Sequence, residues 1–326
     1  MTDHPTITRS DVDAAARRID GRVRRTPVLP ADDGEFGSES PSERSSPGFT
    51  WFKLEQLQHT GSFKARGAFN RVLAAAEGGR LTDAGVVAAS GGNAGLAVAH
   101  AAATQGVPAR VYVPETAPAV KLAKLAELGA TVVTVGSKYA DAYRVAVEHT
   151  ADTGALFCHA YDQPEICAGQ GTLGREFTDQ VAGGLDTVLV AVGGGGLMAG
   201  VAAALEGEAD VVAIEPATIP TLHTALRHGG PVDVDVSGVA ADSLGATHIG
   251  EIAFDVARRT GVRSVLVDDA DVVTARARLW KRYRVAVEHG TAAAYAALLS
   301  SAYRPDRGER VGVVLCGGNT DPADLA

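Results

Sequence analysis

The chain has 326 residues, of which 46% are hydrophobic, 21% charged and 5% aromatic, with 38 glycines; this suits two lobes or one large α/β unit and excludes a disordered chain. The 30 Lys and Arg against 39 Asp and Glu leave a formal charge of −9, which argues against a nucleic-acid or anionic-membrane surface. With no run of about 18 apolar residues, no basic and apolar leader after Met1, no CxxC pair among Cys158, Cys167 and Cys316 and no histidines at metal-motif spacing, a cytoplasmic protein with reduced thiols and no structural zinc is expected.

In chain order, Ser10 is positioned to cap a helix over Asp11 to Arg24, with Pro27 at its exit. Asp32 to Gly48, polar and rich in Ser, Gly and Pro, reads as a surface loop. Thr50 to Glu55 reads as a strand, and a helix follows Lys64 through Val72. From Val86 on, short apolar runs alternate with helical stretches: Val86 to Ala89, Arg110 to Val113, Thr131 to Val135, Leu156 to His159, Thr187 to Val192, Val211 to Ile214, Val265 to Val267 and Val311 to Leu315. Such alternation marks βαβ units on parallel sheets, and runs apolar at every position fit strands covered on both faces. The expected fold is α/β, with two lobes of mostly parallel sheets flanked by helices. The smaller lobe is inserted at 61–150, and 1–60 with 151–326 form the larger, cofactor-binding one.

Ligands in such sheets bind beyond the carboxyl ends of strands, where loops enter helices. The run Gly193-Gly194-Gly195-Gly196-Leu197 lets successive backbone N–H groups face one point at a helix N-terminus, which makes a phosphate cradle. It lacks the Lys-Ser/Thr of a P-loop and the spacing of GxGxxG, so neither a nucleoside triphosphate nor a dinucleotide is favoured. Ser90-Gly91-Gly92-Asn93-Ala94-Gly95 repeats the arrangement with a hydroxyl and a carboxamide, as either a carboxylate site or a plain helix cap. Lys64, taken alone, is one lysine, and such side chains are mostly solvated charges.

Gly61-Ser62-Phe63-Lys64-Ala65-Arg66-Gly67-Ala68, Ser90-Gly91-Gly92-Asn93, Ala168-Gly169-Gln170-Gly171-Thr172, Gly193-Gly194-Gly195-Gly196-Leu197 and Cys316-Gly317-Gly318-Asn319 stand in one order and spacing. Together they resemble the threonine/serine dehydratase and serine racemase family of pyridoxal-phosphate enzymes, of the tryptophan-synthase-β fold type, over most of the chain. The resemblance implies that Lys64 carries the cofactor as a Schiff base and then takes the α-proton of an amino-acid substrate. It implies that Phe63 packs on the pyridine ring, Asn93 bonds its 3-hydroxyl, Gly193 to Leu197 hold the phosphate and Cys316 faces the ring nitrogen. Ser90, Gly91, Gly92, Asn93 and Ala94 would surround the substrate carboxylate, and His159 would lie near the substrate side chain. A neutral thiol at the ring nitrogen weakens the electron sink, which favours loss of a β-leaving group over transamination.

Departures from the family pattern refine these expectations. Gly91 replaces the serine that acts on the second face of the α-carbon in racemases, so dehydration of a small β-hydroxy amino acid such as L-threonine or L-serine is expected over racemisation. A racemase, a dehydratase of another substrate such as 3-hydroxyaspartate, and a catalytically weak binder of the cofactor are the alternatives. Glu215 matches the start of a divalent-cation loop whose further ligands would fall near Ile219 and Thr221; it is either a cation ligand or structural. His159-Ala160-Tyr161-Asp162 and Glu288-His289-Gly290-Thr291 also depart from the pattern, and Tyr161 and His289 are either substrate-side or packing residues. No regulatory domain is expected after Asn319, and a homodimer is typical of relatives.

Overall fold

The apolar runs pair into two sheets in the computed structural model, which describes residues 6–32 and 49–325. The strands are β1 (Val28–Pro30), β2 (Phe49–Lys53), β3 (Val86–Ala89), β4 (Ala109–Val113), β5 (Thr131–Thr134), β6 (Leu156–Phe157), β7 (Thr187–Ala191), β8 (Asp210–Pro216), β9 (Arg263–Val267) and β10 (Arg310–Val314). One sheet has the order β1-β2-β10-β7-β8-β9 and the other β5-β4-β3-β6. Every pairing is parallel except that of β1 with β2. Strands such as β7 are buried throughout because helices cover both faces of a parallel sheet.

The fully buried helix Gly196–Leu205 belongs to the core on one face of the larger sheet, and His289–Leu299 to the core on the other. The helix Pro164–Gln180 packs against both Gly196–Leu205 and Lys64–Glu77. Backbones approach closely there: a Cβ on Gly171 would stand 2.4 Å from Gly200 O, and one on Gly169 would stand 2.6 Å from Arg66 O. These glycines therefore fix the spacing between the lysine-bearing helix and the helix that follows the glycine run.

Several local expectations are corrected. The first helix is Arg9–Arg18, capped by Thr8 rather than Ser10, because Asp11 reaches back to accept from Thr8 N–H at 2.8 Å. It ends before Arg24 because the chain turns through Gly21 at φ +68°. The short antiparallel β1 was not announced, because its apolar run is only Val28-Leu29 between two prolines. β6 pairs with β3, so the smaller sheet takes its last strand from beyond the boundary expected at 150. Of the loop expected at Asp32 to Gly48, residues 33–48 lie outside the described residues.

Candidate active site

Three neighbouring parallel strands, β2, β10 and β7, end on one edge of the larger sheet. β2 continues through two short 3₁₀ turns to Lys64, β10 into Cys316 and β7 into Gly193. The first two segments are stitched together: Phe63 N–H donates to Cys316 O at 3.0 Å and Gly318 N–H to Gly61 O at 2.9 Å, while Ser62 and Gly317 form an antiparallel bridge. Thr60 and Gly61 turn the chain with φ of 57° and 76°, a conformation that costs a β-branched residue about 1–3 kcal/mol. Asn319 holds that turn by donating from Nδ2 to Thr60 O at 2.7 Å.

Lys64 opens its helix and is half-buried, with Nζ 2.6 Å from Ala160 O and 5.0 Å from the Phe63 ring centroid. Burial pushes its ammonium down to about 8, against the opposing pull of Cys316, Cys167 and Glu288. The helix is anchored two residues on, where Arg66 donates from Nε to Glu55 Oε2 at 2.9 Å and from Nη2 to Glu55 Oε1 at 2.7 Å. Arg66 is 1% exposed and Glu55 0%.

In the glycine run the carbonyls are tied outward. Thr221 donates to Gly193 O at 2.6 Å, Gly250 N–H to Gly194 O at 3.1 Å and Ala199 N–H to Gly195 O at 2.8 Å. The amides of the helix's first turn have no intrahelical acceptor. A Cβ on Gly194 would stand 2.3 Å from the Tyr161 ring, one on Gly195 2.5 Å from Ile249, and one on Gly196 2.3 Å from Tyr161 O. Leu197 is buried behind the run. Only glycines fit, and they leave bare amides at a helix N-terminus, a site suited to a phosphate.

From the smaller sheet, β3 delivers Ser90, Gly91 and Gly92 to the helix Asn93–Gln105. Ser90 Oγ accepts from Gly92 N–H at 3.3 Å, a Cβ on Gly95 would stand 1.8 Å from Ser90 O, and Gly91, Gly92 and Ala94 are half-buried. Asn93 joins this loop to the larger lobe: its Oδ1 accepts from Asn319 Nδ2 at 2.6 Å, and its Nδ2 lies 2.9 and 3.1 Å from the two Glu288 carboxylate oxygens. Presenting Asn93 to a cofactor hydroxyl therefore means sharing it with Glu288.

Glu288, Asn319 and Thr291 were not singled out as site residues in the sequence. Burial raises the Glu288 carboxyl to about 7 despite the Asn93 hydrogen bond. A Cβ on Gly317 would stand 2.2 Å from Glu288 Oε2, so the glycine makes the room. Cys316 Sγ lies 3.2 Å from Thr291 Oγ1, and burial raises the thiol to about 12, which keeps it neutral. The available signals were the segment Glu288-His289-Gly290-Thr291, which departs from the family pattern, and for Asn319 its place in the motif Cys316-Gly317-Gly318-Asn319.

His159 is held within its own loop. Its Nδ1 accepts from Asp162 N–H at 2.9 Å and Tyr161 N–H at 3.2 Å, and burial lowers it to about 4. It is a neutral ring that shapes the loop, with Nε2 alone left for a ligand. The Tyr161 ring stands edge-on to His159 at 4.6 Å and covers Gly194. His289 is half-buried at the start of its helix.

Glu215 does not fit a cation. Its Oε1 lies 2.7 Å from Leu222 N and 3.2 Å from Thr221 Oγ1, and its Oε2 lies 2.6 Å from Ser264 Oγ and 2.9 Å from His223 N. The 0% exposed carboxylate meets the N-terminus of the helix Thr221–His228, and Thr221 relays that contact to Gly193 O. Hydrogen-bond donors thus occupy the place of a metal. Dialysis against a chelator is expected to leave both turnover and thermal midpoint unchanged. A midpoint that falls on dialysis and is restored by Mg²⁺ or Ca²⁺ would contradict this.

A half-buried lysine, a bare-amide cradle and a neutral thiol thus stand on neighbouring strand ends of one α/β sheet. The sequence model of the family described as "Pyridoxal-phosphate dependent enzyme" matches residues 19–317, and the chain belongs to that family. It is 37% identical to a phenylserine dehydratase from Ralstonia pickettii over 333 aligned residues, covering 100% of this chain and 98% of that protein. It is 33% identical to an L-threonine ammonia-lyase from Thermotoga maritima, covering 97% of this chain and 76% of that one. The crystal structure of serine racemase from Dictyostelium discoideum superposes with a TM-score of 0.86 at 30% identity, covering 97% of this chain and 100% of that chain. Among the described residues no helix is long and apolar enough to cross a membrane.

Proposed function

We propose that the chain is an ammonia-lyase that converts a β-hydroxy amino acid to a 2-oxo acid and ammonia. The observation that carries this reading is the meeting of Lys64, the Gly193–Leu197 cradle and a neutral Cys316 on three neighbouring strand ends, with Gly91 where a second-face hydroxyl would be needed for racemisation. When bound, the cofactor supplies an aldehyde for an amine and an electron sink for the α-carbon. Lys64, lowered toward neutrality by burial, serves as its attachment point and as the base for the α-proton. The amides around Gly92, Asn93 and Ala94, at the N-terminus of a 13-residue helix, hold the substrate carboxylate and so orient the Cα–H bond.

A second observation bears on the side chain. Tyr139, Tyr143, His159 and Tyr161 form a contact series with centroid separations of 6.0, 5.9 and 4.6 Å, and it ends on Gly194 beside the carbonyl that holds Lys64. Such a wall favours a β-aryl substituent over a methyl group. This reading expects 3-phenylserine to give a higher kcat/KM than L-threonine, L-serine or 3-hydroxyaspartate in assays that follow 2-oxo acid and D-isomer together. Appearance of D-isomer without 2-oxo acid would refute the lyase reading, and a preference for L-serine would refute the aryl one. Homodimeric assembly and a cytoplasmic location belong to the same reading, and gel filtration of the holoprotein checks the assembly.

A further inference from the structure

Asn319, Asn93 and Glu288 come from distant parts of the chain and form one connected series. Asn319 Nδ2 lies 2.7 Å from Thr60 O and 2.6 Å from Asn93 Oδ1, and Asn93 Nδ2 lies 2.9 and 3.1 Å from the two Glu288 carboxylate oxygens. The series passes over two bare glycine α-carbons. A Cβ on Gly61 would stand 2.8 Å from Asn319 Oδ1, and one on Gly317 would stand 2.2 Å from Glu288 Oε2 and 3.3 Å from Asn93 Nδ2. Two glycines of different segments leave room for the same three side chains, all of them half-buried and open in part to solvent.

The polarity of the series is fixed from one end. A main-chain carbonyl can only accept, so the Asn319 atom that faces Thr60 O is the amide nitrogen. That nitrogen directs its two hydrogens to Thr60 O and to Asn93, whose facing atom must then be the carboxamide oxygen. The nitrogen end of Asn93 is left to meet Glu288, and no other orientation of the two amides satisfies all of these contacts. The similar distances from Asn93 Nδ2 to the two carboxylate oxygens suit one shared hydrogen, which leaves the second hydrogen for the cleft.

Resting on the cofactor reading above, we propose that Glu288 is a positioning residue: as a carboxylate at the accepting end of the Thr60–Asn319–Asn93 series, it holds Asn93 with an N–H toward the ring oxygen of the cofactor. The hold depends on charge, because a hydrogen bond to an ionised acceptor is about twice as strong as one to a neutral acceptor. The titratable groups facing Glu288 are Lys64 at the start of its helix, Cys316 after β10, and Asp242 and Lys121, which pair with each other. With the Glu288 carboxyl raised by burial to about 7, the stronger hold is present above that pH and is lost as pH falls through it.

The test measures the dissociation constant of pyridoxal phosphate on the apoprotein as a function of pH for wild type, Glu288→Gln and Glu288→Leu. Glu288→Gln keeps an oxygen for Asn93 but cannot ionise, whereas Glu288→Leu offers no acceptor at all. The ratio of the Glu288→Gln constant to that of wild type is expected to be close to 1 at about pH 6 and to rise to about 10 at about pH 8.5. Effects common to both proteins, the titration of Lys64 among them, cancel in that ratio. Glu288→Leu is expected to bind more weakly than Glu288→Gln across the whole range. A ratio that does not rise with pH would overturn the assignment, since a merely structural carboxylate would give a constant loss, and so would a leucine variant that binds as tightly as wild type. If Glu288→Leu does not fold, the glutamine ratio decides alone. Failure of wild type itself to bind pyridoxal phosphate would instead overturn the cofactor reading, and this inference with it.

Discussion

Lys64→Ala is expected to lower kcat/KM by at least about 1000-fold, or about 4 kcal/mol of transition-state stabilisation, and to remove the visible absorbance of the bound cofactor. The folded chain is expected to survive, because Nζ makes a single described hydrogen bond, to Ala160 O. Lys64→Arg keeps the charge but cannot act as an amine nucleophile at accessible pH, so it too is expected to be inactive. Lys53 is the instructive contrast: it is also buried and also lowered by burial. Its Nζ, however, is held at 2.6 Å by both Glu176 and Gln180, so it remains an ion-pair partner. With Lys64 lowered to about 8, the neutral amine dominates above that pH. The rate at which apoprotein takes up cofactor is therefore expected to rise with pH and level off above about 8; a flat profile would remove the amine from the step.

Arg66→Met is expected to destabilise the protein by about 3–5 kcal/mol, read as a fall in urea midpoint. The guanidinium pairs with Glu55 at 2.7 Å and Glu176 at 3.0 Å, and its loss leaves two carboxylates in the core with Lys53 as their nearest cation. An apolar pair at 55 and 66 is expected to recover part of the loss, because the expensive state is the unpaired buried charge rather than the absence of an ion pair. Burial alone would raise the Glu55 carboxyl, yet Arg66 holds it below the usual range of a glutamate. A depressed carboxyl contributes stability above its unfolded value, so this contribution is expected in full above about pH 4.5 and lost as pH falls through the folded value. The effect reaches function because Arg66 stands two residues from Lys64 in one helix. A destabilisation below about 1 kcal/mol would show that the network does not anchor the site.

The sequence revealed strands and glycine loops far better than the contacts among side chains. Strands such as Val86–Ala89 were legible because burial on both faces leaves an unbroken apolar run, and the Gly193–Gly196 cradle because successive glycines have a backbone purpose. The cap at Thr8 was also legible in Thr8-Arg9-Ser10-Asp11, where an acid three residues on should have outweighed Ser10. Glu288 and Asn319 were not legible as site residues, since each acquires its role from partners far away in sequence. His159 adds a contact that the sequence did not announce, its Nδ1 accepting from two backbone N–H groups of its own loop. Glu215 had a structural alternative from the start, and its three nearby donors, Leu222 N–H, His223 N–H and the Ser264 hydroxyl, favour it.

The most direct test of the central claim is borohydride reduction of the holoprotein followed by peptide mapping. Reduction is expected to fix one cofactor per chain, on the peptide containing Lys64, and to leave Lys53 and the surface lysines unmodified. Label on another lysine, or none from a protein that still turns over substrate, would contradict the account.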